Sequence, residues 1–337
     1  MKIIVDAFGG DNAPLEILKG CRRAADKLGV SIVLAGPEDS IQACAKENKI
    51  SLDGMGLLHA PAIFQMDYEP QTVLREHNDT SMAIGLKALA GQGGVPNGAP
   101  AYDAFVSAGS TGALLVGATL IVKRIRGVRR AAIAAVMPSA TTPFVLLDAG
   151  ANAECTAEML GHFALLGSAY AKHVLGVESP RVGLVNIGTE DNKGDPLRQE
   201  AHALLKEKAN INFIGNLEAR EIPLGGCDVA VADGFTGNVV LKLYEGMGKL
   251  FMGKLKGLFL GSPLGWLSAV PAAPGLLKMK KQMDYKEYGG APLLGINGVV
   301  IKAHGSSDAK AIFHAIRQAK AYVDGKVVES IKEGLKA

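Results

Sequence analysis

Short apolar runs bounded by glycine, proline and asparagine alternate with segments of helical spacing along almost the whole chain. The runs Lys2–Ala7, Val30–Ala35, Gly56–Ala60, Asp103–Ser107 and Ala131–Val136 read as strands. So do Phe144–Ala149, Arg181–Ile187, Asp228–Ala232 and Val299–Ala303. Pro14–Leu28, Pro37–Asn48, Thr111–Lys123, Cys155–Val174, Pro196–Lys208 and Ser307–Lys332 carry the helical pattern. Proline at a helix start costs nothing, because the first N–H groups lack intrahelical partners. Strands alternating with helices predict an α/β fold with a mostly parallel sheet covered on both faces. No internal repeat or low-complexity tract interrupts the pattern.

One stretch departs from it. Gly257–Leu277 holds 21 uncharged residues, long enough by count to span a bilayer. Its three prolines and four glycines prevent it from closing its own backbone hydrogen bonds as one lipid-exposed helix. Lys254 and Lys256 precede it, and Lys278, Lys280 and Lys281 follow. Apolar residues between basic flanks describe a segment lying on an anionic bilayer surface, with Leu258, Phe259, Leu264, Trp266 and Leu267 as contacts. An oligomer arm or a lid is the equal alternative for this projecting region, at about residues 250–285.

Composition narrows the class. With 337 residues, 48% of them apolar and 20% charged, the chain builds a large core and is not intrinsically disordered. A net charge of +3 and 5% aromatic residues argue against nucleic acid as a general partner. Cys21, Cys44, Cys155 and Cys227 are widely spaced without a CxxC pair, which fits buried thiols in a reducing cytoplasm. The N-terminus is charged by its sixth residue and reads as a strand, not a signal peptide.

The 42 glycines concentrate the chemistry. Four glycine-rich loops each follow a strand: Asp6–Asp11, Ser107–Gly112, Asn186–Gly194 and Asp233–Asn238. In a parallel sheet such loops gather at the carboxyl ends of the strands, where ligands bind. Each alone is an ordinary strand–helix turn; four together favour a polar site. Gly109 and Gly112 allow close backbone approach and Ser110 and Thr111 donate hydroxyls, the makings of an anion site. Lys193, in a glycine-bounded loop, is placed to neutralise a phosphate or a developing oxyanion, or is simply solvated. Other fingerprints fail. There is no G-x-G-x-x-G with a following acid, no G-x-S-x-G and no H-E-x-x-H. The P-loop-like run at Gly248–Leu255 has leucine where magnesium needs a hydroxyl. His304 reads as structural.

Six ordered blocks resemble the bacterial phosphate acyltransferase family, PlsX type. They are VDAFGGDNAP (Val5–Pro14), SAGSTGAL (Ser107–Leu114), LLDAGAN (Leu146–Asn152), NIGTEDNKG (Asn186–Gly194), DGFTGN (Asp233–Asn238) and VIKAHG (Val300–Gly305). The resemblance covers nearly the whole chain. It departs at Phe8, where methionine is usual, at Asn12, where histidine is common, and at Asn78–Met82, which is usually more basic. It implies a Rossmann-like three-layer α/β/α unit over residues 1–337, similar to isopropylmalate dehydrogenases. It also implies an enzyme that moves a fatty acyl group from acyl-acyl-carrier-protein to inorganic phosphate for phospholipid synthesis. A homodimer follows from it, as does peripheral attachment to the inner face of the cell membrane. There a membrane-bound glycerol-phosphate acyltransferase would be a partner. No cofactor and no metal is implied.

That chemistry suits the residues. A thioester is already activated and phosphate is already a nucleophile at neutral pH, so no covalent serine or cysteine intermediate is needed. Lys193, Asn186, Asp233 and Asn238 are the expected catalytic group. Gly9, Gly10, Asp11, Gly109, Ser110, Thr111 and Gly112 are the expected substrate and phosphate loops, with Asp6 and Asp11 fixing the first. A dehydrogenase on the same fold would need a dinucleotide site. A non-catalytic membrane scaffold would leave the four polar loops unexplained.

Overall fold

The computed structural model describes residues 1–92, 102–260, 271, 273–276, 279 and 289–336. Its strands form two sheets, not one. In the first, β1 (Lys2–Asp6), β2 (Ser31–Gly36), β3 (Gly56–His59), β4 (Ala104–Ser107) and β12 (Val299–Lys302) run parallel. β11 (Ala291–Leu294) and the edge strand β5 (Ala132–Ile133) join antiparallel, giving the order β3-β2-β1-β4-β12-β11-β5. The second sheet has the order β6-β7-β10-β8-β9. It is built from β6 (Ala135–Met137), β7 (Phe144–Leu147), β8 (Val182–Asn186), β9 (Phe213–Glu218) and β10 (Val229–Val231), with only β6 antiparallel.

Alternation along the central strands makes the layers. Ile3 and Val5 enter one core cluster while Ile4 enters the other, and Val106 and Phe105 divide the same way. Each is essentially fully buried. Helices therefore cover both faces, as the α/β/α expectation requires. They are α1 (Leu15–Leu28), α2 (Glu38–Glu47), α3 (Ser81–Leu89), α4 (Thr111–Gly117), α5 (Ala157–Leu175), α6 (Pro196–Lys206), α7 (Gly234–Leu260), α8 (Ala309–Asp324) and α9 (Val327–Gly334).

Three sequence readings change. Ala131–Val136 is not one strand: at Ala134, whose N–H donates to Pro292 O at 3.0 Å, the chain passes from the first sheet to the second. The helix expected over Ser307–Lys332 is broken at Gly325–Lys326, where Lys326 takes a left-handed φ of 50°. The elements α3, α7, β9 and β11 add to the expected set, and α7 takes in the Gly234–Asn238 segment expected as loop. Among the described residues no helix is long and apolar enough to cross a membrane. Leu264, Trp266 and Leu267 lie outside the described residues; Leu258 is exposed and Phe259 half-buried near the end of α7.

Candidate functional site

All four glycine-rich segments follow the carboxyl ends of parallel strands, but Asp233–Asn238 is not the expected loop: Gly234–Asn238 are the first turns of α7, as Thr111–Gly112 begin α4. The structure sorts the segments into two groups. On the first sheet the organiser is Asp6, the last residue of β1. Its carboxylate accepts the hydroxyls of Ser81 and Ser107, both at 2.7 Å, and the N–H of Phe8 at 3.2 Å. Ser107 Oγ in turn accepts the N–H of Gly109 at 3.0 Å, so one buried carboxylate shapes both the first and the second loop. Burial pushes the Asp6 carboxyl up, against these hydrogen bonds and the Lys302 charge. Gly9 packs against Gly109. Gly10 has φ of 96°, and a Cβ there would meet Gly305 O at 2.7 Å, so only glycine fits. Asp11 is exposed and its N–H donates to Gly305 O at 2.8 Å, which brings in the VIKAHG block.

Ser110 caps α4, its Oγ accepting the Ala113 N–H at 3.4 Å, while Thr111 stays exposed and Gly112 packs on Pro70. Beneath these loops lies Lys302, a residue without an assigned role in the sequence reading. Its ammonium donates to the carbonyls of Ala108 (3.3 Å) and Ala303. Burial pushes it down to about 8, with Asp6 and Asp11 opposing that shift.

On the second sheet, Asn186 ends β8 and turns its side chain back on its own loop. Its Nδ2 donates to Lys193 O at 3.1 Å and its Oδ1 accepts the Ile187 N–H at 2.8 Å. Asn186 thus shapes the loop from within. Lys193 carries its ammonium outward, 46% exposed, with Glu190 at 3.8 Å. Asp233 is 6% exposed and caps α7, its Oδ1 accepting the Thr236 N–H at 2.9 Å. Asn238 is exposed in the first turns of α7, its side chain beside Gly150.

Two residues that sequence reasoning passed over hold this group together. Arg198 donates to Asp195, the cap of α6, at 2.7 Å, and through its other nitrogen to Asp233 and to Thr236 Oγ1 at 3.0 Å. One guanidinium therefore fastens two helix caps. Burial pushes the Asp233 carboxyl up, but the Thr236 N–H and hydroxyl and the Arg198 charge outweigh it and hold it below its usual range. Asp148, at the end of β7, is wholly buried and accepts the N–H groups of Ile133, Gly150, Ala151 and Asn152 and the side-chain amide of Asn152. The Ile133 N–H belongs to the first sheet, so Asp148 ties the sheets together. Burial pushes its carboxyl up against those donors. A Cβ on Gly237 would overlap the Asp148 carbonyl oxygen, which makes glycine obligatory where α7 crosses this loop.

An open pocket of about 460 Å³ lies beside Asp233, lined by Ala153, Glu154, Cys155, Leu197, Arg198, Phe235 and Thr236. Burial pushes the Cys155 thiol up to about 11. Among the described residues no three His, Cys, Asp or Glu side chains gather to hold a metal ion. The arrangement offers donors, one outward ammonium and glycine-lined approaches.

Comparison with known proteins establishes the fold first. A phosphotransacetylase from Streptococcus pyogenes superposes with a TM-score of 0.62 over 96% of this chain and 94% of its own, at 16% identity. The α/β architecture is thus one that phosphotransacetylases share. The family follows from sequence: the model described as "Fatty acid synthesis protein" matches residues 1–330. A phosphate acyltransferase of Clostridium perfringens strain SM101 is 42% identical over 99% of this chain and 96% of its own. That of Desulforamulus reducens is 45% identical over 99% and 97%. The chain belongs to this phosphate acyltransferase family of fatty acid synthesis, as an enzyme of that type.

Proposed function

We propose that the enzyme transfers a fatty acyl group from acyl-acyl-carrier-protein to inorganic phosphate, releasing the carrier thiol and acyl-phosphate. Phosphate attacks the thioester carbonyl directly, and no acyl-enzyme forms. The observation that carries this reading is the half-exposed ammonium of Lys193, on a loop whose Lys193 carbonyl accepts Asn186 Nδ2. Lys193 neutralises phosphate or the tetrahedral oxyanion, and Asn238 supplies a neutral donor from the first turns of α7. Asn186 and Asp233 orient their loops. Gly9, Gly10, Asp11 and the Gly109–Gly112 segment contribute backbone approach from the first sheet. The pocket walled by Leu197 and Phe235 suits the donor's apolar thioester arm.

The same reading makes the protein a cytoplasmic homodimer that attaches to the inner membrane face, near a membrane-bound acyltransferase that consumes its product. Supporting it, Val239, Leu243, Met247, Leu250 and Leu258 are exposed along α7, an apolar face that calls for cover. The test is incubation with acyl-carrier thioester, with and without phosphate, followed by mass spectrometry. Phosphate-dependent thioester loss with matching acyl-phosphate is expected. Equal turnover without phosphate, or an acyl adduct on the protein, would overturn direct attack.

A further inference from the structure

We propose that Asn216 and His202 are positioning residues for Lys193, acting on its backbone from behind the loop. This rests on the reading of Lys193 as the cation of the reaction. The Lys193 N–H donates to Glu190 O at 3.1 Å, and the same carbonyl accepts Asn216 Nδ2 at 2.7 Å. Because the Asn216 amide nitrogen is committed there, its Oδ1 is an acceptor, and it faces His202 Nδ1 at 3.0 Å. His202 Nδ1 therefore carries the proton and donates. His202 Nε2 lies 3.3 Å from Asp191 Oδ1, whose partner oxygen pairs with Lys206 at 2.7 Å.

The relay runs from α6 through β9 to the carbonyl that holds the Lys193 N–H. At its other side, the Lys193 carbonyl accepts Asn186 Nδ2 at 3.1 Å. The peptide groups flanking Lys193 are thus pinned from two strands, while its side chain stays 46% exposed. His202 and Asn216 are 5% and 7% exposed, and the imidazole packs edge-on against Phe213, with ring centres 5.2 Å apart. Neither residue needs to touch substrate to matter. A lysine on a glycine-bounded loop has many rotamers to lose, so fixing its backbone lowers the entropy of aiming the ammonium.

Asn216→Asp tests this, since a carboxylate still accepts from His202 but cannot donate to Glu190 O. Turnover is expected to fall by about tenfold with the KM for the acyl donor within about twofold, as for a lost alignment. His202→Gln, whose amide can still donate to Asn216, restores turnover to within about threefold of the parent, whereas His202→Leu does not. The decisive comparison is a double-mutant cycle with Lys193→Ala. If the relay acts through Lys193, Asn216→Asp costs nothing further in that background. The same loss in both backgrounds, or parental turnover from folded Asn216→Asp, would overturn the proposal. If Asn216→Asp does not fold, His202→Leu is carried through the same cycle. Hydrogen exchange separates the two layers of argument. Faster exchange at the Lys193 N–H in Asn216→Asp supports the tether even if Lys193→Ala proves active, and in that case the catalytic reading of Lys193 fails instead.

Discussion

Arg198→Met is the most direct perturbation of the candidate site's frame. Methionine keeps most of the aliphatic stem and removes the guanidinium. Three bonds are lost, to Asp195, Asp233 and Thr236 Oγ1, in two different environments. The Asp195 carboxylate is 51% exposed, so that arm contributes at most about 1 kcal/mol. The Asp233 arm is shielded, with side chains 16% and 8% exposed, and a hydrogen bond to a charged group in such a place contributes ~1.5–3 kcal/mol. Asp233 keeps its bonds from the Thr236 N–H and hydroxyl, so the net loss should be near the lower end, about 2 kcal/mol. With an unfolding entropy of ~2.1 cal/mol/K per residue, that loss lowers Tm by about 3 °C in a chain of this length. The sign with pH follows from Asp233. Its carboxyl is held below the ordinary value in the folded state. The stabilisation is therefore present above the unfolded carboxylate range and disappears as pH falls through the folded value. Thermal unfolding of parent and variant from neutral to acidic pH should show a deficit that shrinks at the acid end. A Tm within about 1 °C of the parent at neutral pH, or a deficit that does not change with pH, would refute the assignment of Arg198 as the clasp between the two caps.

Lys193→Ala should lower kcat/KM for phosphate-dependent acyl transfer by ~10²–10³ while leaving Tm unchanged, because a half-exposed loop lysine contributes little to folding. Turnover within threefold of the parent would make it a solvated loop residue. Gly237→Ala should cost at least ~3 kcal/mol, read as a large drop in Tm or in soluble yield, since its neighbour is backbone and cannot swing aside. Leu258→Glu should weaken sedimentation with anionic vesicles and the blue shift of Trp266 emission while sparing turnover on a soluble donor; a parental vesicle response would leave the arm or lid reading.

The strand-end loops were legible because a short apolar run followed by glycine and a small polar residue is a local signal. Asp6–Asp11, Ser107–Gly112 and Asn186–Gly194 follow strand ends where that signal puts them, whereas in Asp233–Asn238 only Asp233 is loop and Gly234–Asn238 open α7. What joins them was not legible. Nothing local in the sequence announces that Arg198 reaches Asp233, 35 residues on. Asn216 lies in a strand whose polar and half-exposed pattern, FIGNLE, blurs the alternation by which strands are recognised. The division into two sheets was hidden for a related reason. Ala131–Val136 is continuous in hydrophobicity, and only the partner taken by Ala134 decides that its two halves pair with different strands.

That division changes how the candidate anion loops relate. The sequence reading puts phosphate on Ser110–Gly112 and Lys193 together, yet the first follows β4 in one sheet and the second follows β8 in the other. Groups on separate sheets act on one small anion only if the sheets keep a fixed relation, and the bonds across the junction supply it. Asp148 accepts the Ile133 N–H at 3.0 Å, the Ala149 N–H donates to Ile133 O at 2.8 Å, and the Asn152 amide donates to Ala131 O at 2.8 Å. These three bonds tie the end of β7 to an edge strand of the first sheet. The same loop carries Gly150, against which Asn238 lies, and the carbonyl that Gly237 admits. The position of α7, and with it Asn238, is thus set at the residue that also fixes one sheet to the other.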